Sequence, residues 1–152
     1  GLDSTLMILQ HRLKANSHRS EIQIIRHFGN LPKIKCHPGH LNQVFLNILT
    51  NAIDAIEAQN RPHSNHITIT TTNTADQQIC IAIADNGVGM SETVKSQIFN
   101  PFYTTKPIGK GTGLGLAISY QIVTEMHQGQ LACCSTTGAG TEFIIKLPIP
   151  NS

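Results

Sequence analysis

Gln43, Asn47, Asn51 and Asp54 fall at i, i+4, i+8 and i+11 of the segment QVFLNILTNAIDAI. On a helix they make one polar stripe, opposite an apolar face of Leu41, Val44, Phe45, Ile48, Leu49, Ala52 and Ile56. A merely solvated stripe is normally built from Glu, Lys, Arg or Gln. Asparagine is a poor helix former, because its amide competes for nearby backbone groups. Two asparagines four apart in an otherwise good helix therefore point to a need for their amide oxygens. Such a pair can hold an octahedral Mg²⁺, with phosphate oxygens and water completing the coordination.

Downstream, DNGVGM begins at Asp85, where an apolar run ends. Asp-Asn-Gly is a good turn in its own right. A carboxylate at the end of a strand is also suited to accept a hydrogen bond from an exocyclic amine such as that of adenine. Gly87 and Gly89 would then let the backbone pass close to the base. Further on, GTGLGL places Gly111, Thr112, Gly113, Leu114 and Gly115 before or at the start of a helical run, with Lys106 and Lys110 just ahead. Helix starts attract anions through unpaired N–H groups and the positive end of the dipole. Together the three segments describe a nucleotide site. Their order is not that of a Walker-type ATPase, a protein kinase or a Rossmann domain.

These groups need elements to hold them. Helical spacing of Leu6, Leu9 and Leu13 marks residues 4–15. Residues 21–27 alternate like a strand, and LPKIKCHPG reads as a short extended piece closed by a Pro-Gly turn. Residues 39–59 are the best helix in the chain. Two strands, 66–74 and 78–85, form a hairpin turning near Ala75 and Asp76. A stretch punctuated by glycine and proline, 86–111, holds a short helical pattern at 91–98. A second long helix covers 112–127, and a closing hairpin pairs 130–135 with 141–147 around TTGAG. Phe99, Phe102 and Tyr103 are read as anchors of a mobile loop, in which Thr104 and Thr105 are further phosphate candidates. The mixture of helix and strand without a strict βαβ rhythm predicts a two-layer α/β sandwich, a mixed sheet with helices on one face.

At 152 residues the chain is one domain by length and large enough for a hydrophobic core. A net charge of +2, with scattered Lys and Arg, gives no sign of a nucleic-acid or anionic-membrane partner. No apolar stretch approaches the ~18 residues of a membrane span. The four cysteines form no CxxC pair and read as small buried hydrophobes that stay reduced. His37 and His40 lie close in sequence, but no second ligand pair accompanies them as a zinc site would require. The chain opens inside a helical pattern, as a piece of a longer protein would.

In combination the motifs resemble the catalytic ATP-binding domain of bacterial sensor histidine kinases, in the Bergerat-fold superfamily shared with gyrase B, MutL and the heat-shock chaperone of that group. QVFLNILTNAIDAI looks like the N box, DNGVGM the first glycine box, IFNPFYTTK the F box, GKGTGLGLAIS the second glycine box and GTEFIIKLP the closing strand. The resemblance covers residues 42–147 and implies a sheet of about five strands, covered on one face by about three helices, with an ATP lid over 90–110. It implies that Asn47 and Asn51 bind Mg²⁺, reach the phosphates and carry catalysis. Asp85 would read adenine, Gly87 and Gly89 would shape the base pocket, and Lys106, Lys110, Gly111, Thr112, Gly113, Leu114 and Gly115 would cradle phosphate. Thr141 would support Asp85 through a hydrogen bond or water. Residues 1–152 would form one catalytic domain, with 1–20 either its first element or the tail of an upstream dimerisation region.

Two positions depart from the family pattern. Asp54 and Ala55 stand where many histidine kinases carry a basic residue and then an aromatic one. Asn47 stands where hydrolytic members of the superfamily place a water-activating glutamate, which favours holding ATP for transfer. No phosphoacceptor His-Glu/Asp sequence is present, since His11 is followed by Arg12. The resemblance thus implies a cytoplasmic, monomeric Mg-ATP-binding core that does not phosphorylate itself. Its partners would be a dimerisation domain bearing the phosphoacceptor histidine and, later, a response-regulator receiver domain. Two other readings use the same residues: a Bergerat-fold ATPase or anti-sigma-factor-like serine kinase, and a degenerate nucleotide-sensing module.

Overall fold

In the computed structural model, which describes residues 1–16, 19–32, 34, 36–59, 64–103 and 114–149, the isoleucine alternation builds the sheet. Strand β3 (Gln78–Asp85) buries Ile79, Ile81 and Ile83 and leaves Cys80, Ala82 and Ala84 half-buried on its other face. Strand β2 (His66–Asn73) and strand β5 (Gly140–Pro148) keep the same period, burying Ile67, Ile69 and Thr71, and Thr141, Phe143, Ile145 and Leu147. One face is therefore apolar and must be covered. With β1 (Gln23–Phe28) and β4 (Gln130–Thr136) the order is β1-β2-β3-β5-β4. Only β1–β2 is parallel, so the sheet is mixed, as the sequence predicts.

The cover is α3 (Pro38–Glu57). Its Val44, Ile48 and Ile53 are fully buried, with Leu49, Ala52 and Ile56 beside them. Truncating any one of these isoleucines to alanine would cost roughly 2–5 kcal/mol. Beside α3 lies α5 (Gly115–Gln121), continued by a π-helical turn over Ile122–Met126 that buries Ile122 and Val123. An N-terminal helix, α1 (Leu2–Ile8), adds Leu6 to the core, and α2 (Gln10–Leu13) and α4 (Glu92–Lys95) are one-turn helices. None of the described helices is long and apolar enough to cross a membrane.

Several sequence expectations change in detail. The helical run at 4–15 is broken at Leu9 into α1 and α2. Pro38 and Gly39 do not close a turn: they form the first turn of α3, where proline's fixed φ and missing N–H do no harm. The cysteines are free, yet Cys36 and Cys134 are exposed rather than buried. Phe99 packs against the core and stacks on Tyr120 at 5.0 Å, as an anchor should. Phe102 does not: it is 73% exposed with φ +68.

Both ends of α3 are pinned. At its start, buried His127 accepts the His37 backbone N–H at Nε2 (2.9 Å), so its Nδ1 carries the proton donated to Ile122 O (3.0 Å). That imidazole ties the end of the π turn to the entrance of α3. At the other end, Arg12 bonds Asp54 and Glu57, and Arg19 bonds Glu57.

Candidate nucleotide site

The polar stripe of α3 forms as the sequence predicts, with Asn47, Asn51 and Asp54 half-buried and Gln43 exposed. Asn47 spans two helices. Its Nδ2 donates to Gly115 O (2.9 Å) and to Ser119 Oγ (3.0 Å) of α5, and its Oδ1 accepts from Gln43 Nε2 (2.9 Å). Asn51 Nδ2 donates to Asn47 O at 2.8 Å, and among the described residues none bonds the Asn51 amide oxygen. The donor set thus fits a hard cation with phosphate. One amide oxygen is held ready, and the other is exchangeable because its partner is an exposed glutamine.

Asp85 ends β3 between Ile67 and Thr141 in the sheet register and is buried. Its Oδ1 accepts Gly87 N–H at 2.8 Å, and the Thr141 backbone N–H lies near enough to favour the charged form. Burial pushes the Asp85 pKa up to about 6, against the downward pull of those two N–H groups. The sign follows. The folded state holds this proton more tightly than the unfolded chain, whose Asp titrates near 3.8, so the proton's contribution to stability is complete below about pH 4 and lost as pH rises through 6. The loss amounts to roughly 3 kcal/mol. Melting of wild type and Asp85→Asn across pH 4–7 should show wild type losing ground over this window. A constant difference would refute the shift. Nucleotide binding that needs the carboxylate should weaken below pH 6.

Thr141 pairs with Asp85 in the sheet register. Its hydroxyl meets Ser135 Oγ at 2.8 Å. Ser135, which the sequence reading passes over, also accepts Met90 N–H (2.8 Å) and donates to Gly140 O (3.0 Å), fixing the loop after Asp85 to the β4–β5 hairpin. Asn86 does the same on the other side, accepting His66 N–H at 3.0 Å. The two glycines have packing reasons of their own. A Cβ on Gly87 would lie 2.6 Å from Ala55 C, so this loop rests directly on α3, where Val88 N–H donates to Ala55 O at 3.1 Å. At Gly89, φ is +73 and a Cβ would meet Thr136 O at 2.0 Å. The close approach is to α3 and the hairpin turn, and it sets the level at which the loop leaves the sheet.

Gly115 opens α5 with Leu114 at the N-cap. A Cβ there would meet Asn47 Cγ at 3.5 Å, an ordinary contact. Thr104, Thr105, Lys106, Lys110, Gly111, Thr112 and Gly113, the remaining phosphate candidates, lie outside the described residues. Asp54 and Ala55, the two departures from the family pattern, have partners: Asp54 pairs with Arg12 at 2.9 Å, and Ala55 lies beneath Gly87. Neither Ser135 nor Arg12 carries a local sequence signal.

Helix α3 is thus the meeting place: the Asp85 loop sits on it at Ala55, and α5 is tied to it at Asn47. Amide oxygens, a buried carboxylate and a helix entrance arranged so on one α/β sandwich define a nucleotide-binding domain. The sequence profile of the family described as histidine kinase-, DNA gyrase B-, and HSP90-like ATPase matches residues 36–151, and the chain belongs to that family. It is 39% identical to sporulation kinase E of Bacillus subtilis (strain 168) over 90% of this chain and 18% of that protein. It is 45% identical to the signal transduction histidine-protein kinase AtoS of Escherichia coli (strain K12), over 72% of this chain and 17% of that protein. The chain therefore spans less than a fifth of the length of these relatives. Among solved structures, the nucleotide-free catalytic domain of histidine kinase ThkA superimposes with a TM-score of 0.78 at 24% identity, over 98% of this chain and 92% of that one. Full-length ShkA in complex with AMPPNP gives 0.81 at 24% identity, over 99% of this chain and 30% of that one. These likenesses match the fold.

Proposed function

We propose that this chain is the Mg²⁺-ATP-binding catalytic core of a cytoplasmic two-component sensor histidine kinase. It would position the γ-phosphate of ATP for attack by a histidine on a separate dimerisation domain, from which a response-regulator receiver aspartate later takes the phosphoryl group. The observation that carries this reading is the convergence on α3 of the Asp85 loop, through Ala55, and of α5, through Asn47. Asn51 lies between the two, its amide oxygen bonded by none of the described residues. Asp85 would orient the adenine. Asn47 and Asn51 would hold Mg²⁺ and phosphate. The metal would supply charge neutralisation to the triphosphate. What the protein adds is position and a fixed set of dipoles. An amide at Asn47 offers no general base toward water, which supports transfer over hydrolysis.

The test mixes the chain with a separately expressed helical dimerisation domain bearing a phosphoacceptor histidine, plus ATP labelled on the γ-phosphate. Acid-labile, base-stable label on the added domain is the expected result. Steady phosphate release without the partner, or label on serine, would instead favour the ATPase or serine-kinase reading. Absence of nucleotide binding by the folded chain would favour a degenerate interaction module.

A further inference from the structure

Arg12 belongs to none of the motifs that make the site, yet it ends on the same helix stripe. Along Gln43, Asn47, Asn51 and Asp54 only the last member is charged. On a helix Asp54 neighbours Asn51, one turn along. A bare carboxylate there would repel a polyphosphate that approaches the Asn51 amide. Glu57, one turn further, adds a second negative charge.

Two arginines answer these charges, and neither comes from α3 or from the sheet. Arg12 Nη2 lies 2.9 Å from Asp54 Oδ1 and 2.6 Å from Glu57 Oε1, and Arg19 Nη2 lies 3.1 Å from Glu57 Oε2. Both belong to the segment before β1. That segment is docked by Leu6 and Leu9, both buried, and by Arg19, whose guanidinium gathers the carbonyls of Arg12, Lys14 and Ser20. Side chains of Arg12, Asp54 and Glu57 are 29%, 30% and 35% exposed, so as stability devices these pairs are weak. As a means of setting the potential along the stripe they are effective, because the cluster is neutral only while the segment is docked.

We propose that Arg12 is a positioning residue for polyphosphate: by neutralising Asp54 it lets a nucleoside triphosphate settle against Asn51, so triphosphate affinity depends on docking of the segment that carries Arg12. This role presupposes the nucleotide reading of the α3 stripe. By linkage the dependence is mutual, and bound triphosphate strengthens the docking of the segment that carries Arg12 by the same factor.

The experiment uses the whole chain as wild type, Arg12→Gln, Asp54→Asn and the double variant, each checked for folding by thermal melting. A Mg²⁺-loaded non-hydrolysable ATP analogue is titrated by calorimetry, and adenosine by nuclear magnetic resonance shifts. Arg12→Gln should weaken triphosphate binding by about fivefold at low ionic strength, with the deficit shrinking at about 0.5 M salt. Its adenosine affinity should match wild type, and adding Asp54→Asn should restore triphosphate binding. Equal triphosphate affinity in wild type and Arg12→Gln would overturn the role of Arg12 and leave the nucleotide site standing. Parallel loss of adenosine binding would overturn it too, by making Arg12 merely structural. A folded wild type that binds neither ligand would overturn both. Should Arg12→Gln fail to fold, Asp54→Asn alone decides: it should bind triphosphate at least as tightly as wild type, and weaker binding would overturn the proposal.

Discussion

Asp85→Asn is expected to abolish measurable nucleotide binding while the chain remains folded. The carboxylate is buried and its Oδ1 already accepts the N–H of Gly87. An adenine amino group would be a further donor to the same anion. Asparagine has nearly the same shape but only one acceptor oxygen, and its NH₂ must then confront either a backbone N–H or the adenine amine. Losing a charge-assisted hydrogen bond and gaining a donor–donor contact costs about 3 kcal/mol or more, a hundredfold or greater in affinity. Stability should move much less. The variant loses a backbone hydrogen bond but also sheds the desolvation penalty that pushes the Asp85 pKa up to about 6. Calorimetry for binding and circular dichroism melting for stability separate the two. Wild-type affinity in a folded Asp85→Asn chain would remove Asp85 from the site.

Gly89→Ala should have the largest effect on folding of any change at the described glycines of the two glycine boxes. A side chain there has to adopt φ +73 and also place Cβ 2.0 Å from Thr136 O, a backbone atom that the β4–β5 turn cannot easily move. The loop is stitched on both sides of this residue, by Gly138 N–H to Val88 O at 2.7 Å and Met90 N–H to Ser135 Oγ at 2.8 Å. Relief would therefore cost those bonds as well. A loss of roughly 3 kcal/mol or more in denaturant unfolding is expected. Gly115→Ala is the control. Its Cβ meets Asn47 Cγ at an unstrained 3.5 Å, and the position opens a helix, so stability should stay within about 1 kcal/mol of wild type. Equal effects of the two substitutions would mean that the Asp85 loop is not held against the hairpin as described.

What could be read from the sequence was whatever repeats with a period. The Ile alternation of QICIAIAD marks β3 to its last residue, and the apolar face of α3 follows from 3.6-residue spacing alone. The asparagine stripe and Asp85 were legible because their residue types go against local preference or end a pattern. Contacts between segments remote in sequence were not legible. Arg12 and Asp54 are 42 residues apart, and Met90 and Ser135 are 45 apart. No local propensity records either pairing. The glycines of the first glycine box have a use that no local pattern records: the missing Cβ is needed by Ala55 and Thr136 whether or not a base lies nearby. Pro38-Gly39 reads two ways, because a proline suited to a turn is equally suited to the first turn of a helix.

The central claim is that the face of α3 bearing Asn47 and Asn51 receives a nucleotide together with a metal ion. Calorimetric titration of a non-hydrolysable ATP analogue into the folded wild-type chain, with and without Mg²⁺, tests it most directly. Saturable one-to-one binding that strengthens when Mg²⁺ is added is the expected result. A folded chain that takes up no nucleotide, or binds it equally well in the presence of a chelator, would contradict the claim.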